Sequence, residues 1–126
     1  MTDELMNSQD EFDVSDAGVP SLKAARATIT EFNVVEKQNG VLHELTFAID
    51  GLGFPITKGY WYTHTNPKAA QAGRGTLKRI AKAATGRDTY SSTSLVGQTV
   101  LVDVGEDDSG FATIRRIAPA SVEAVA

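Results

Sequence analysis

Between Lys58 and Arg87 the chain carries seven basic side chains and no acidic one, in the segment KGYWYTHTNPKAAQAGRGTLKRIAKAATGR. Lys58, Tyr60, Tyr62 and His64 recur at every second position, so an extended backbone presents all four on one face. Bases stack on aromatic rings at about 1–3 kcal/mol each, and a neighbouring cation holds the phosphate between them. This is the residue set that single-stranded nucleic acid asks of a protein. Trp61 has the opposite parity and is expected in the core with Leu45 and Phe47. A phase shift of one residue would make it the stacking platform instead, so it stays among the candidate contacts. Downstream, Arg74, Lys78 and Lys82 repeat every four residues and form one helical ridge, with Lys68 and Arg79 beside it. A charged ridge is commonly a solvated face. Here no Glu or Asp is interspersed to pair at i,i+4, which favours phosphate contact. Arg115 and Arg116 alternate across the last strand, and Arg115 is placed in the groove.

Other chemistry finds little support. There is no cysteine, and the two histidines, His43 and His64, lie far apart in sequence. No Gly-x-Ser-x-Gly elbow and no phosphate-binding glycine loop is present. Asp103, Glu106, Asp107 and Asp108 lack the spacing of a calcium loop and read as a solvated turn. The expectation is a binding module without catalytic residues, metal or other cofactor.

These side chains need elements to hold them. Residues 21–38 read as a long strand with Ala25, Ala27 and Ile29 on one face and a bulge near Phe32–Val35. Gln38-Asn39-Gly40 is a hairpin signal, resting on the ease with which Asn-Gly takes positive φ. Val41–Asp50 alternates as a second strand, and a third runs from about Phe54 to His64. Asn66 and Pro67 are a helix N-cap and first-turn proline, and Gly86 is a C-cap, so a helix is expected from Pro67 to Thr85. Gly73 and Gly75 inside it predict a kink, or a helix firm only from Arg74. Residues 87–97 read as a loop. Strands then follow at Gln98–Val104 and Phe111–Ala118. Five strands with a helix between the third and fourth is the element order of the OB-fold, a small Greek-key barrel.

The net charge of −4 is unevenly spread. Residues 1–17 hold six acids and no base, leaving twelve bases and ten acids in the remainder. The expected organisation is an acidic arm at 1–17, a domain at 18–118 and a short tail at 119–126. No run approaches the roughly 20 apolar residues of a membrane span, and the acidic start is unlike a secretory signal. A cytoplasmic protein without membrane contact is expected.

The run Gly59-Tyr60-Trp61-Tyr62-Thr63-His64-Thr65-Asn66-Pro67-Lys68-Ala69, followed by Leu77, Ile80, Ala84 and Gly86, resembles a family of small bacteriophage proteins of the DUF669 type. The Phe12-Asp13 step, the Val19-Pro20 step and the Leu45-Thr46-Phe47 strand fit the same pattern. That resemblance implies an OB-fold protein that binds single-stranded DNA in phage replication and recombination, with partners among the proteins of those processes. Two other functions suit the same elements: a protein-binding adaptor or inhibitor of a host factor, and an RNA-binding module.

Overall fold

The computed structural model describes residues 21–120. The acidic arm expected at 1–17 and the tail beyond Ala120 lie outside the described residues. Five strands form one antiparallel sheet: β1 (Leu22–Lys37), β2 (Gly40–Ile49), β3 (Ile56–His64), β4 (Thr99–Glu106) and β5 (Ala112–Pro119). Helix α1 (Pro67–Thr85) and the short α2 (Ser92–Leu95) connect β3 to β4. The sheet order is β3-β2-β1-β4-β5. The sheet curls into an OB-like half-barrel that brings its two edge strands toward each other. The Lys58 ammonium of β3 donates to the Thr113 hydroxyl of β5 at 3.4 Å.

The interior follows the alternation of the strands. Ala27 and Ile29 of β1, Leu45 and Phe47 of β2, Ile56 of β3, and Val100, Val102 and Val104 of β4 are buried on the concave face. Helix α1 closes one end with Leu77, Ile80 and Ala81. Leu95 of α2, nearly inaccessible, fills the same core. The loop expected at 87–97 thus contains one helical turn. Ser91 and Ser94 cap it reciprocally, each side chain bonding the other's backbone N–H, a capping box built from two serines.

Helix α1 has the expected bounds. Asn66 accepts from the Lys68 N–H at 2.9 Å, and Gly86 takes the left-handed conformation with φ 80°. The expected kink is not there, and the helix is continuous through Gly73. Gly73 is buried because α1 lies directly on the backbone of Trp61. A Cβ at this position would come within 2.6 Å of the Trp61 nitrogen and closer still to its carbonyl oxygen. The glycine is required by close approach, and in this way α1 covers the exposed edge of β3.

Four register shifts interrupt the pairing; one lies at the start of β1, between Leu22 and Ala25 against β4, and the other three re-aim side chains. In β1 the extra residue is Thr30, upstream of the bulge expected near Phe32–Val35. In β3 it is Tyr62, because Val41 pairs with Thr63 while Leu42 pairs with Trp61. In β5 it is Arg115, because Asp103 pairs with Arg116 while Val104 pairs with Ile114. A bulge adds one residue to one strand and reverses the parity beyond it. Ile114 and Ile117, three apart, therefore both pack against the core. At the β1–β2 turn, Gln38 and Asn39 form the bend and Gly40 is a paired strand residue opposite Lys37, without positive φ.

Candidate nucleic-acid interface

The Tyr62 bulge decides where the β3 side chains go. Before it, Ile56, Lys58 and Tyr60 pair with Phe47, Leu45 and His43, so these β3 residues face inward. Tyr60 packs against the core. Burial raises its phenol to about 12 despite the opposing effect of the nearby Arg79 charge. Trp61 pairs with Leu42 on the outer side and is only partly buried. The expectation that Trp61 joins Leu45 and Phe47 in the core is thus corrected: Tyr60 takes the core-facing place. After the bulge, His64 sits with Trp61, their rings edge to face at 4.4 Å. The Lys58, Tyr60, Tyr62 and His64 face expected from simple alternation is therefore split in two. His64 has a local task as well, its Nδ1 accepting from the Asn66 N–H at 2.8 Å where α1 begins.

Tyr62 itself is 39% exposed and enters an aromatic cluster. Its ring lies flat on His43, with centroids 4.4 Å apart and planes 9° from parallel. His43 shares a 2.6 Å hydrogen bond between its Nδ1 and the Tyr90 hydroxyl. Phe32 meets both rings edge-on, at 5.2 Å from His43 and 5.8 Å from Tyr90. The Arg74 guanidinium sits over the Tyr62 ring, 5.0 Å from its centroid, in cation–π geometry. Around this cluster opens a cleft of about 410 Å³ lined by His43, Tyr62, Arg74, Leu77, Lys78, Asp88, Thr89 and Tyr90. Phe32, His43 and Tyr90 escaped the sequence reading, because they come from β1, β2 and the loop after α1. The one available signal was the place of His43 in phase with Leu45 and Phe47.

The helical ridge is present but partly answered. Lys78 and Lys82 reach Asp88 at 3.8 and 3.5 Å. The missing carboxylate lies just beyond the basic run, outside the i,i+4 pattern. Arg74 pairs with an aromatic ring instead, and Lys68 lies exposed in the first turn of α1. Arg115 is held elsewhere: its guanidinium donates to the Glu106 carbonyl at the β4–β5 hairpin. Arg115 and Arg116 are both exposed, and the alternation expected of them is interrupted by the bulge. In the same hairpin, the Asp107 carboxylate accepts from the backbone of Ser109 and Phe111 at 2.9 Å, which organises the turn. Among the described residues, no cluster of three or more His, Cys, Asp or Glu could hold a metal ion.

Burial lowers the His43 imidazole below its ordinary value of about 6.5. The folded protein therefore favours the neutral ring. Its contribution to stability is complete above the unfolded value and is lost as the pH falls below it, where the unfolded chain binds the proton more readily. The melting temperature is expected to fall between pH 7.5 and pH 5. Thermal melts of His43→Phe, which keeps a ring on Tyr62, should show a smaller fall. An equal fall in both proteins would mean that His43 is not the group responsible.

No protein-family model matches the chain, and no curated protein matches it. No helix among the described residues is long and apolar enough to cross a membrane.

Proposed function

We propose that this protein binds single-stranded DNA with little sequence preference, protecting exposed strands during replication or recombination of the bacteriophage type. It acts as a binding module rather than as an enzyme. The observation that carries this reading is the half-exposed Tyr62 ring, fixed from behind by His43, with Arg74 above it and Lys78 in the same cleft. The imidazole fills one ring face, which leaves the other for the flexible guanidinium. A base displacing that guanidinium gains the ring face, and the guanidinium moves to phosphate, which it binds bidentately. Lys68 and Lys82 extend the positive surface along α1.

The test is titration of fluorescent oligo-dT at low salt, with RNA and duplex competitors. Binding of oligo-dT that duplex displaces poorly supports the proposal. A preference for RNA moves the protein to the RNA-binding class, and no binding to any of the three leaves a protein-binding module. If Lys68, Arg74, Lys78 and Lys82 neutralise about four phosphates, the log–log salt slope should be about −3, at about −0.7 per phosphate of single strand. A slope near zero would remove phosphate contact from the account.

Asp88 makes a further difference measurable. Its two ion pairs occupy cations that phosphate would take. Exposed pairs of this kind are worth about 0.2–1 kcal/mol, so Asp88→Asn should bind oligo-dT roughly two- to fivefold more tightly at low salt. The gain should fade by 0.1 M salt, where the Debye length is about 10 Å.

A further inference from the structure

A second cationic space lies on the other flank of α1. Where the β3 and β5 edges face each other beneath the helix, a cleft of about 210 Å³ is lined by Lys58, Tyr60, Thr76, Arg79, Arg115 and Arg116, with isoleucines from β5. Four cations and no carboxylate surround it. Among the described residues, none of the four has a carboxylate within ion-pair distance. Their partners are neutral: Lys58 donates to the Thr113 hydroxyl, Arg79 to the Thr76 hydroxyl at 3.1 Å, and Arg115 to a backbone carbonyl. Lys78 and Lys82, on the opposite flank, have Asp88. Like charges gathered in a concave, partly desolvated space repel one another, and an anion entering it relieves that repulsion.

The size narrows the ligand. Sites for drug-sized molecules are about 300–1,000 Å³. This cleft is smaller and suits one compact, multiply charged anion. Arginine forks match tetrahedral oxyanions bidentately, and Lys58 supplies a point charge. The Tyr60 phenol, kept protonated to about pH 12, is a neutral donor at its wall.

We infer that the cleft between β3, β5 and α1 is a phosphoryl-group site, built from Lys58, Arg79, Arg115 and Arg116. It shares Lys58, Tyr60 and Arg115 with the contacts expected for single-stranded DNA and extends that reading without resting on it. The phosphoryl group is either part of a nucleic-acid strand or free.

The experiment is a titration of the full chain with inorganic phosphate at constant ionic strength, followed by amide chemical shifts. The expected result is saturable shifts confined to residues 58–60, 76–79 and 113–117. Arg79→Gln and Arg116→Gln should each weaken binding at least fivefold, with Lys37→Gln, an exposed lysine at the end of β1, unchanged. Non-saturable shifts, shifts centred on Tyr62, Arg74 and Tyr90 of the other cleft, or full affinity in Arg79→Gln would overturn the assignment. Arg116 is exposed, so its variant keeps the test decisive if Arg79→Gln misfolds. Oligo-dT with and without a 5′-phosphate separates the sources. Displacement of phosphate by the phosphorylated strand alone identifies a strand end, and displacement by both identifies the backbone. Saturable phosphate binding that neither displaces identifies a free anion, and would stand even if the protein proved not to bind DNA.

Discussion

Replacing Gly73 by alanine is expected to lower the melting temperature by about 10–20 °C, and replacing Gly75 by alanine to raise it. On helix propensity alone both substitutions gain about 1 kcal/mol. Around Gly75 nothing lies within 4 Å of the added methyl, so the gain stands. At Gly73 the methyl would enter the space of the Trp61 peptide group. Backbone cannot rotate aside as a side chain can, so α1 must lift from β3. Overpacking costs about 1–3 kcal/mol and occasionally more. A clash against backbone costs about 3–4 kcal/mol, at or just beyond the upper end of that range, and outweighs the propensity gain, leaving a net loss of about 2–3 kcal/mol. For a domain of this size each kcal/mol moves the midpoint by about 4–8 °C. Parallel thermal melts of the two variants check the result. Equal gains in both would show that α1 does not rest on Trp61.

Tyr62→Ala is expected to weaken oligo-dT binding about tenfold to a hundredfold with little change in the melting temperature. The range follows from about 1–3 kcal/mol per stacked base, with tenfold for each 1.4 kcal/mol. Tyr60→Ala should do the reverse. Its ring packs against Leu45 and Phe47's core, so its loss should destabilise the fold by about 2–3 kcal/mol, somewhat less than a fully buried aromatic. Trp61, partly buried and outside the core, should cost less stability than Tyr60. Binding isotherms together with melts decide the matter. Weakened binding in a stable Tyr60→Ala, with unchanged binding in Tyr62→Ala, would place the strand on a different face of β3.

The parts of the fold that were legible in sequence rest on local chemistry. Asn66, Pro67 and Gly86 mark the ends of α1 because caps act within one turn. The five strands are visible because Val100, Val102 and Val104, like Leu45, Phe47 and Ile49, keep a strict period of two. What was hidden depends on partners distant in sequence. Whether Tyr62 or Arg115 is the extra residue in its strand is decided by the opposing strand, and each bulge reverses the faces of all that follows. Simple alternation therefore puts Trp61 in the place of Tyr60 and sets His64 beside Tyr60 and Tyr62, whereas its ring meets Trp61. Gly73 looks like a helix defect until the Trp61 backbone beneath it is seen. Asp88 pairs with Lys78 and Lys82 only because the chain turns back after Gly86. His43 and Tyr90 meet through a hydrogen bond spanning 47 residues, which no spacing rule detects.

The strand order also bears on how the chain becomes a barrel. Strands β1, β2, β3 and helix α1 are consecutive, and each can dock on the element before it as the chain emerges. β1, however, lies between β2 and β4, and its pairing with β4 joins Thr28 to Thr99, 71 positions away. Closing a loop of that length is entropically costly before any of its contacts are gained. Until β4 arrives, the core face of β1 lacks Val100, Val102 and Val104, and the strand has one bare edge. Such an edge is a template for pairing with another chain. α1 already covers the opposite edge of the sheet, at β3, so the nascent protein has one adhesive side rather than two. A single open edge permits pairing into a dimer, whereas two would permit open-ended chains.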